Sequence, residues 1–241
     1  MTHRADKFEI ECSGFLNAKG EPMVELPAFA GDRETLVAMY SAMVRTRTFD
    51  TKAIALQRTG RLGTYASSLG QEAIGVGVAS AMTADDVFLP SFREHAAQLW
   101  RGISLKELFL YWGGDERGND FAGPRQDFPV CIPVASQFPH AAGVALAISH
   151  RGEPGVAVAV AGDGATSKGD FYEAMNIVGV WNLPAVFVIN NNQWAISVRR
   201  SDQTAAKTLA QKAFAAGITA EQADGNDVVA VREVVSRALA K

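Results

Sequence analysis

The sequence predicts an α/β fold in which an open parallel sheet is flanked by helices, and three observations support this prediction. Residues 156–160 and 185–189 are short apolar runs without alternation of polar and apolar positions. Strands of this kind are typical of parallel sheets that are buried on both faces. A helical pattern lies between the two runs, which makes a strand–helix–strand unit of about 30 residues. Helices predicted at 137–151 and 227–240 would cover the sheet.

The first half of the chain is predicted to be mainly helical. Asp32 can cap a helix that Gly60 ends, because aspartate accepts hydrogen bonds from a first helical turn and glycine adopts the conformation that follows a last one. Ser104 and Glu107 have the spacing of a capping box, which marks the start of another helix. The other elements predicted here are helices at 71–82 and 93–101, a strand at 87–89 and a long loop at 113–136.

Length and composition predict one large domain at 32–241, preceded by an arm at 1–31 that Gly and Pro punctuate. The chain has 241 residues, of which 48% are hydrophobic and 20% charged, as in ordinary globular proteins. Its net charge is -3 and its pI is about 5.8, so we expect neither nucleic acid nor an anionic membrane as a main partner.

Cysteine usage and the start of the chain predict a soluble, cytoplasmic protein. Cys12 and Cys131 are far apart and match no metal or redox spacing, which favours a reducing compartment. Residues 1–7 lack the apolar stretch of a signal peptide, and no apolar run approaches the ~20 residues that a membrane span needs.

Two polar motifs follow the two predicted strands of the second half. Gly162, Asp163 and Gly164 come after the first strand, and Asn191 and Asn192 come after the second. Because the carboxyl ends of parallel strands open onto one crevice, the Asp and the second Asn can meet at one cation. Magnesium prefers oxygen ligands and takes several of them from phosphate and water. The glycines and the start of the following helix favour a diphosphate beside it.

Three other interpretations of these motifs stay open. Gly-Asp-Gly by itself is typical of a turn. Residues 162–167 are a partial dinucleotide-binding fingerprint, but the third glycine is missing and Asn190 to Asn192 stand where an acidic residue would hold a ribose. The asparagines by themselves can form a polar turn. The spacing of the two motifs in combination favours the cation and diphosphate site.

The same residues carry a resemblance to a known family. Residues 162–197, GDGATSKGDFYEAMNIVGVWNLPAVFVINNNQWAIS, resemble the thiamine-diphosphate motif of the alpha subunits of pyruvate and branched-chain 2-oxo acid dehydrogenases. The resemblance covers roughly residues 30–240 and implies a thiamine-diphosphate-binding fold. Its other motifs are GRLGTYASSLGQEA at 60–73, LPSFREH at 89–95, ASQFPHAAGVALA at 135–147 and DGNDVVAV at 224–231.

The resemblance implies a role for each matching residue. Asp163 and Asn192 would bind Mg²⁺ through their side chains, and Trp194 would bind it through its carbonyl oxygen. Arg93, in an aromatic–Arg pair with Phe92, would hold the diphosphate of thiamine diphosphate, which suits its forked donors. The remaining cofactor-binding residues implied in this way are Val134, which would support the bent cofactor, and Gly162, Gly164 and Ala165, which would line the diphosphate.

The resemblance also implies a catalytic residue, and the sequence departs from the family at two points. His95 would face the substrate, although a lone histidine is also common as a structural residue. Asn190 stands where relatives often carry Glu, Gln or Arg. The family continues beyond the position of Lys241 with a strand and a loop whose His closes over the diphosphate, so we expect a chain shortened at its C-terminus.

The implied reaction is oxidative decarboxylation of pyruvate, with transfer of the acyl group to a lipoyl group on an acyltransferase. A beta subunit would supply the Glu that activates the cofactor, in an α2β2 heterotetramer. The alternatives are a branched-chain 2-oxo acid as substrate, another thiamine enzyme such as acetoin dehydrogenase, and a non-catalytic alpha-type assembly module. We expect association through the 113–136 loop and through the small-residue faces of two helices. One face contains Gly75, Gly77, Ala79 and Ala81, and the other contains Ala141, Ala142 and Gly143.

Overall fold

Residues 9–241 are described by the structure, a computed structural model, so the expectation for residues 1–7 and the start of the 1–31 arm lie outside the described residues. The helices are α1 (Arg33–Arg58), α2 (Glu72–Ala81), α3 (His95–Trp100), α4 (Leu105–Trp112), α5 (Gln137–Arg151), α6 (Gly169–Trp181), α7 (Arg200–Gln203), α8 (Gln211–Phe214) and α9 (Val228–Leu239). The strands are β1 (Cys12–Ser13), β2 (Val87–Leu89), β3 (Ala157–Gly162), β4 (Ala185–Asn190), β5 (Trp194–Ala195), β6 (Val198–Arg199) and β7 (Gln222–Ala223).

A parallel sheet of β2, β3 and β4, in that order, lies at the centre of the fold. Val87 pairs with Ala157 at one end of the sheet, and Gly162 pairs with Asn190 at the other. The three carboxyl ends therefore share one side, which we call the carboxyl edge and define as residues 90–93, 163–165 and 191–195. The prediction of an α/β fold with a parallel sheet is confirmed.

Helices cover both faces of this sheet. On one face α5 and α6 pack their buried aromatic residues, Phe138 and Phe171, against β3 and β4. On the other face α2, α3 and α9 pack on β2 and β3, with Phe88 and Val158 fully buried between them. The residues of β3 from Ala157 to Ala161 are all buried, whereas β4 is mostly half-buried. The burial of β3 on both faces thus agrees with its uninterrupted apolar sequence.

Most of the predicted element boundaries are confirmed to within two residues, because local signals set them. The Asp32 carboxylate accepts from the backbone N–H groups of Glu34 and Thr35 and caps α1. Gly60 follows the end of α1 with a φ of +71°, in the left-handed region that favours glycine. Both hydrogen bonds of the Ser104–Glu107 capping box are present at the start of α4.

The small-residue face of α2 is internal, which corrects the expectation that it is an association surface. A Cβ atom on Gly75 would lie 2.7 Å from the Cβ of Ala96, and one on Gly77 would lie 2.6 Å from Val231 Cγ1. Glycine at these positions lets α2 pack closely between α3 and α9. In α5, Ala141 and Ala142 are buried as well, whereas Gly143 is exposed. Association through Gly143 and the 113–136 loop stays a prediction.

The described part of the predicted arm, residues 9–31, is tied to the far end of the chain. Strand β1 pairs in parallel with β7. The backbone N–H groups of Phe15 and Leu16 donate to the Asp227 carboxylate at 2.7 and 2.8 Å, at the start of α9. The boundary between an arm at 1–31 and a domain at 32–241 stays a prediction. Over residues 9–241, no helix has the length and apolar character that crossing a bilayer requires.

Candidate active site

The carboxyl edge collects most of the residues predicted to bind a cofactor. Phe92 and Arg93 follow β2, a 3-10 helix at Asp163–Ser167 follows β3, and Asn192 and Trp194 follow β4. The pairing of Gly162 with Asn190 sets the last two segments side by side. Topology alone therefore brings these segments together from positions far apart in the sequence.

Asp163 is buried, with 1% of its surface exposed. Its Oδ2 accepts a hydrogen bond from Gln203 Nε2 at 3.2 Å. Its Oδ1 is buried and has no hydrogen-bond partner among residues 9–241. A buried oxygen of this kind is costly unless another group satisfies it. A cation bound at Oδ1 would supply the missing interaction, so Asp163 fits a metal ligand.

The turn after β4 lies against the segment that contains Asp163. Asn192 Oδ1 accepts from the backbone N–H of Trp194 at 3.0 Å, and both side chains are exposed. A Cβ atom on Gly164 would lie only 2.6 Å from the Cβ of Ala195. Gly164 therefore has to be small for the turn to approach Asp163. The methyl group of Ala165 belongs to the core beneath, so only its backbone can face the carboxyl edge.

The donor set at this edge is of the kind that magnesium uses. No cluster of three or more His, Cys, Asp or Glu side chains with metal-binding geometry occurs in residues 9–241. A cation here would therefore depend on the Asp163 carboxylate together with carboxamide, carbonyl and phosphate oxygens. Hard, oxygen-only ligation with few protein ligands suits Mg²⁺ and does not suit Zn²⁺.

Arg93 brings an unneutralised positive charge to the carboxyl edge. Its guanidinium lies beside the Phe92 ring, with 5.5 Å from Cζ to the ring centroid. Its Nη1 donates to the backbone carbonyl of Ser67, and within residues 9–241 the side chain forms no ion pair. The remaining donors of a half-buried guanidinium suit a phosphate group.

Asn190 holds two elements together and does not point to a ligand. Its Nδ2 donates to Gln71 Oε1 at 2.7 Å, and only 6% of the residue is exposed. Both residues line a cavity of about 10 Å³ that also touches Arg93, which is room for about one water molecule. The bond joins the end of β4 to the start of α2. Sequence reasoning missed Gln71, although it belongs to the GQEA motif.

A buried carboxyl group that the sequence did not suggest lies next to Arg93. Glu94 is 5% exposed and accepts hydrogen bonds from Ser91 Oγ at 2.5 Å and from the backbone N–H of Arg93 at 2.9 Å. Burial raises the pKa of Glu94 to about 7. The carboxyl group of Glu94 therefore changes its charge near neutral pH, and it lies directly beside Arg93, the residue predicted to bind the diphosphate.

His95 is fully buried and does not face the carboxyl edge, which corrects the prediction that it meets the substrate. Trp112 Nε1 donates to its Nε2 at 3.0 Å. Because an indole N–H is only a donor, Nε2 must be the acceptor, and the neutral ring carries its proton on Nδ1. Nδ1 lies 3.2 Å from Ser68 Oγ and 3.4 Å from Tyr65 Oη. Burial lowers the pKa of His95 to about 4, so the ring is a neutral structural element.

Val134 lies just before α5, which contacts all three strands of the central sheet. It is 46% exposed, and the next residue, Ala135, has a φ of +76°. The exposed apolar side chain of Val134 is available for contact with a bound molecule. Its predicted role of supporting the cofactor stays a prediction.

Comparisons with known proteins show which proteins this chain is similar to. The family profile described as dehydrogenase E1 component matches residues 40–241. Pyruvate dehydrogenase E1 component subunit alpha of Staphylococcus aureus strain Mu50 is 44% identical over 205 residues, which is 85% of this chain and 55% of that protein. The protein of the same name from Staphylococcus epidermidis strain RP62A is 42% identical over the same shares. The chain thus spans about half the length of the curated relatives that it matches.

Proposed function

Because the chain belongs to the dehydrogenase E1 component family, we propose that it is the alpha-subunit portion of a thiamine-diphosphate-dependent 2-oxo acid dehydrogenase. The proposed reaction is the oxidative decarboxylation of pyruvate, with the acyl group passed to a lipoyl group on an acyltransferase. The relatives named above are alpha subunits of pyruvate dehydrogenase, which supports pyruvate as the substrate.

One observation supports the cofactor most directly. Among residues 9–241, Asp163 at the carboxyl edge has a buried carboxylate oxygen without a hydrogen-bond partner, and the guanidinium of Arg93 forms no ion pair. A cation would partner the Asp163 oxygen, and an anion would partner the Arg93 guanidinium. A magnesium diphosphate supplies both charges in a single ligand, whereas a lone anion or a lone cation satisfies only one of them.

The residues of the edge divide the work of holding such a ligand. Asp163, Asn192 and the Trp194 carbonyl would hold Mg²⁺, and Arg93 would hold the diphosphate, with Gly162, Gly164 and the backbone of Ala165 lining it. The Phe92 ring lies beside the guanidinium and attracts its positive charge. Val134 would support the apolar part of the cofactor. Thiamine diphosphate, when bound, supplies the carbon chemistry of decarboxylation, and the protein supplies binding and orientation.

The choice of pyruvate over a branched-chain 2-oxo acid depends on a small difference. Residues 63–72 resemble the alpha chains of bacterial pyruvate dehydrogenases more than those of the branched-chain type. One or two methylene groups change the discrimination of an apolar pocket by only ~1 to 3 kcal/mol. A higher kcat/KM for 3-methyl-2-oxobutanoate than for pyruvate in the reconstituted enzyme would reverse this choice.

The proposed assembly is an α2β2 heterotetramer in the cytoplasm. Asp163 is assigned to the cation and Glu94 is buried beside Arg93, so we assign neither of them to activating the aminopyrimidine ring of the cofactor. We therefore assign that task to a Glu of the beta subunit. This chain by itself should not turn over a 2-oxo acid.

Thiamine diphosphate binding, measured by calorimetry with and without Mg²⁺ and with and without the beta subunit of the same organism, tests the proposal. We expect tight binding only when Mg²⁺ and the beta subunit are both present. Thiamine without its diphosphate is the control ligand and should bind weakly in every case. A chain that forms the heterotetramer but binds no cofactor would be an assembly module instead. Turnover of pyruvate by this chain alone would contradict the shared site.

A further inference from the structure

A buried carboxylate on α1 gathers hydrogen bonds from the loop at 61–71. Asp50 is completely buried. Its Oδ2 accepts from Ser67 Oγ at 2.8 Å, and its Oδ1 accepts from Tyr65 Oη at 2.8 Å and from the backbone N–H of Ser68 at 2.7 Å. The loop contains no helix or strand between residues 61 and 71. Its conformation at Ser67 and Ser68 therefore depends on these side-chain bonds.

The peptide group between Ser67 and Ser68 connects Asp50 to Arg93. Its N–H donates to the Asp50 carboxylate, and its C=O accepts from Arg93 Nη1. A trans peptide is planar, so its N–H and C=O point in opposite directions. By holding the N–H, Asp50 also fixes the direction of the carbonyl that receives the guanidinium.

His95 closes the other side of this network. Its Nδ1 lies 3.2 Å from Ser68 Oγ, and its ring stacks on that of Tyr65 with 5.3 Å between the centroids. The bond from Trp112 holds the ring in one orientation. Because all of these groups are enclosed, a lost bond is not replaced by one to water, and the loop has little freedom to rearrange.

We propose that Asp50 is a positioning residue that holds the Ser67–Ser68 peptide plane and thereby aims Arg93 at the carboxyl edge. This inference rests on the proposed function, in which Arg93 binds the diphosphate. Asp50 touches no ligand itself. A hydrogen bond to an ionised carboxylate is stronger than one to a neutral amide, so the charge of Asp50 matters as well as its shape.

Two variants and their combination test this inference in the complete heterotetramer. Asp50→Asn keeps the size of the side chain but removes its charge, and its NH2 group cannot accept the hydrogen bond that Ser67 Oγ donates to Oδ2. It should weaken the binding of thiamine diphosphate with Mg²⁺ about tenfold, as for the loss of one charge-assisted hydrogen bond. Arg93→Gln should weaken it by about tenfold or more for the same reason. The double variant should bind no more weakly than Arg93→Gln alone, because Asp50 acts through Arg93.

Asp227→Asn is the matched control. Asp227 is also a buried aspartate that accepts from several backbone N–H groups, namely those of Phe15, Leu16, Val229 and Ala230, and none of its hydrogen bonds within residues 9–241 is to the loop at 61–71. The Asp227→Asn substitution should lower the Tm and leave cofactor affinity unchanged. If Asp50→Asn behaves in the same way, or if its effect adds fully to that of Arg93→Gln, Asp50 is only structural and the inference is wrong.

The remaining outcomes are also decisive. Normal affinity in Arg93→Gln would contradict the proposed diphosphate site itself, whereas weak binding in Arg93→Gln with normal binding in Asp50→Asn contradicts only the positioning role. If Asp50→Asn does not fold, Ser67→Ala replaces it, because it removes one bond between Asp50 and the loop and leaves the charge in place. A reduced affinity of a few fold supports the inference, and an unchanged affinity overturns it.

Discussion

The two halves of the carboxyl edge differ in how much of their structure this chain supplies. Around Arg93 the neighbouring polar groups, Asp50 and Glu94, are buried and bonded. Around Asp163 one carboxylate oxygen has no hydrogen-bond partner in the part of the chain that the structure describes, and the turn that carries Asn192 and Trp194 is exposed. The Arg93 half is thus preorganised by its own chain, whereas the Asp163 half leaves interactions for a ligand or a partner subunit to complete.

Backbone conformation shows the same difference. Gln193 and Ile196 in the exposed turn have φ values of 70° and 57°, which side chains other than glycine rarely adopt. Ile196 is fully exposed and β-branched, so neither packing nor residue type explains its conformation. Strain of this kind is common where a segment is shaped for binding.

The largest expected effect is the loss of metal-dependent cofactor binding in Asp163→Asn. The variant keeps the shape of the side chain but removes the charge that a cation needs, so affinity for thiamine diphosphate with Mg²⁺ should fall by at least about 100-fold. The Tm of the metal-free protein should not fall, because the lost charge lies in a buried site with an unsatisfied oxygen.

Calorimetry and thermal unfolding measure the two results separately. Asp170→Asn is the control, since Asp170 lies in the first turn of α6 and has no assigned role. Unchanged affinity in Asp163→Asn would remove the metal site from this edge. A large drop in Tm would show instead that Asp163 is structural, and the two halves would then not differ as described.

The second prediction concerns the preorganised half and its dependence on pH. The pKa of Glu94 is raised by burial to about 7 from 4.5. The folded state therefore holds this proton more tightly than the unfolded state. The resulting stabilisation of the folded state is fully present below about pH 4.5 and is lost as the pH rises to about 7. The loss amounts to about 3 kcal/mol, at about 1.4 kcal/mol for each pKa unit.

His95 acts in the opposite direction, because burial lowers its pKa to about 4 from 6.5 and stability rises with pH between these values. The two contributions nearly cancel between about pH 4.5 and 6.5. In the Glu94→Gln variant, only the pH-dependent contribution of His95 to stability remains of the two. The free energy of unfolding of this variant, relative to the parent, should therefore rise by about 3 kcal/mol between pH 4.5 and 8 in urea titrations. A difference that does not change with pH would show that Glu94 is ionised throughout.

The smallest expected effect is in the exposed turn. Ile196→Gly should stabilise the isolated chain by up to about 1 kcal/mol, because glycine removes the cost of a positive φ and no buried surface is lost. Ile132→Gly is the control: Ile132 is also exposed but has no positive φ, so its replacement should destabilise. Chemical unfolding of the three proteins gives the comparison. Equal losses in both variants would mean that the turn carries no strain.

Contacts between distant segments explain what the sequence did not reveal. Asn190 meets Gln71 across 119 positions, and Asp50 meets Ser68 across 18. No periodicity or capping signal reports such pairs, because each depends on which helices pack together. For the same reason Glu94 and Asp50 were not identified as polar groups of the site.

The sequence alone predicted the longer helices, the three strands of the central sheet and the residues that end these strands, but not β1, β5, β6, β7, α7 or α8. Caps, glycines and apolar runs act within a few residues, so they can be read without the fold. The tertiary structure alone decided that His95 is enclosed by Trp112 and Tyr65, that Asp163 is buried, and that the glycines of α2 face its neighbours. Burial is a property of packed elements, and a side chain's surroundings, more than its type, decide whether it can meet a ligand.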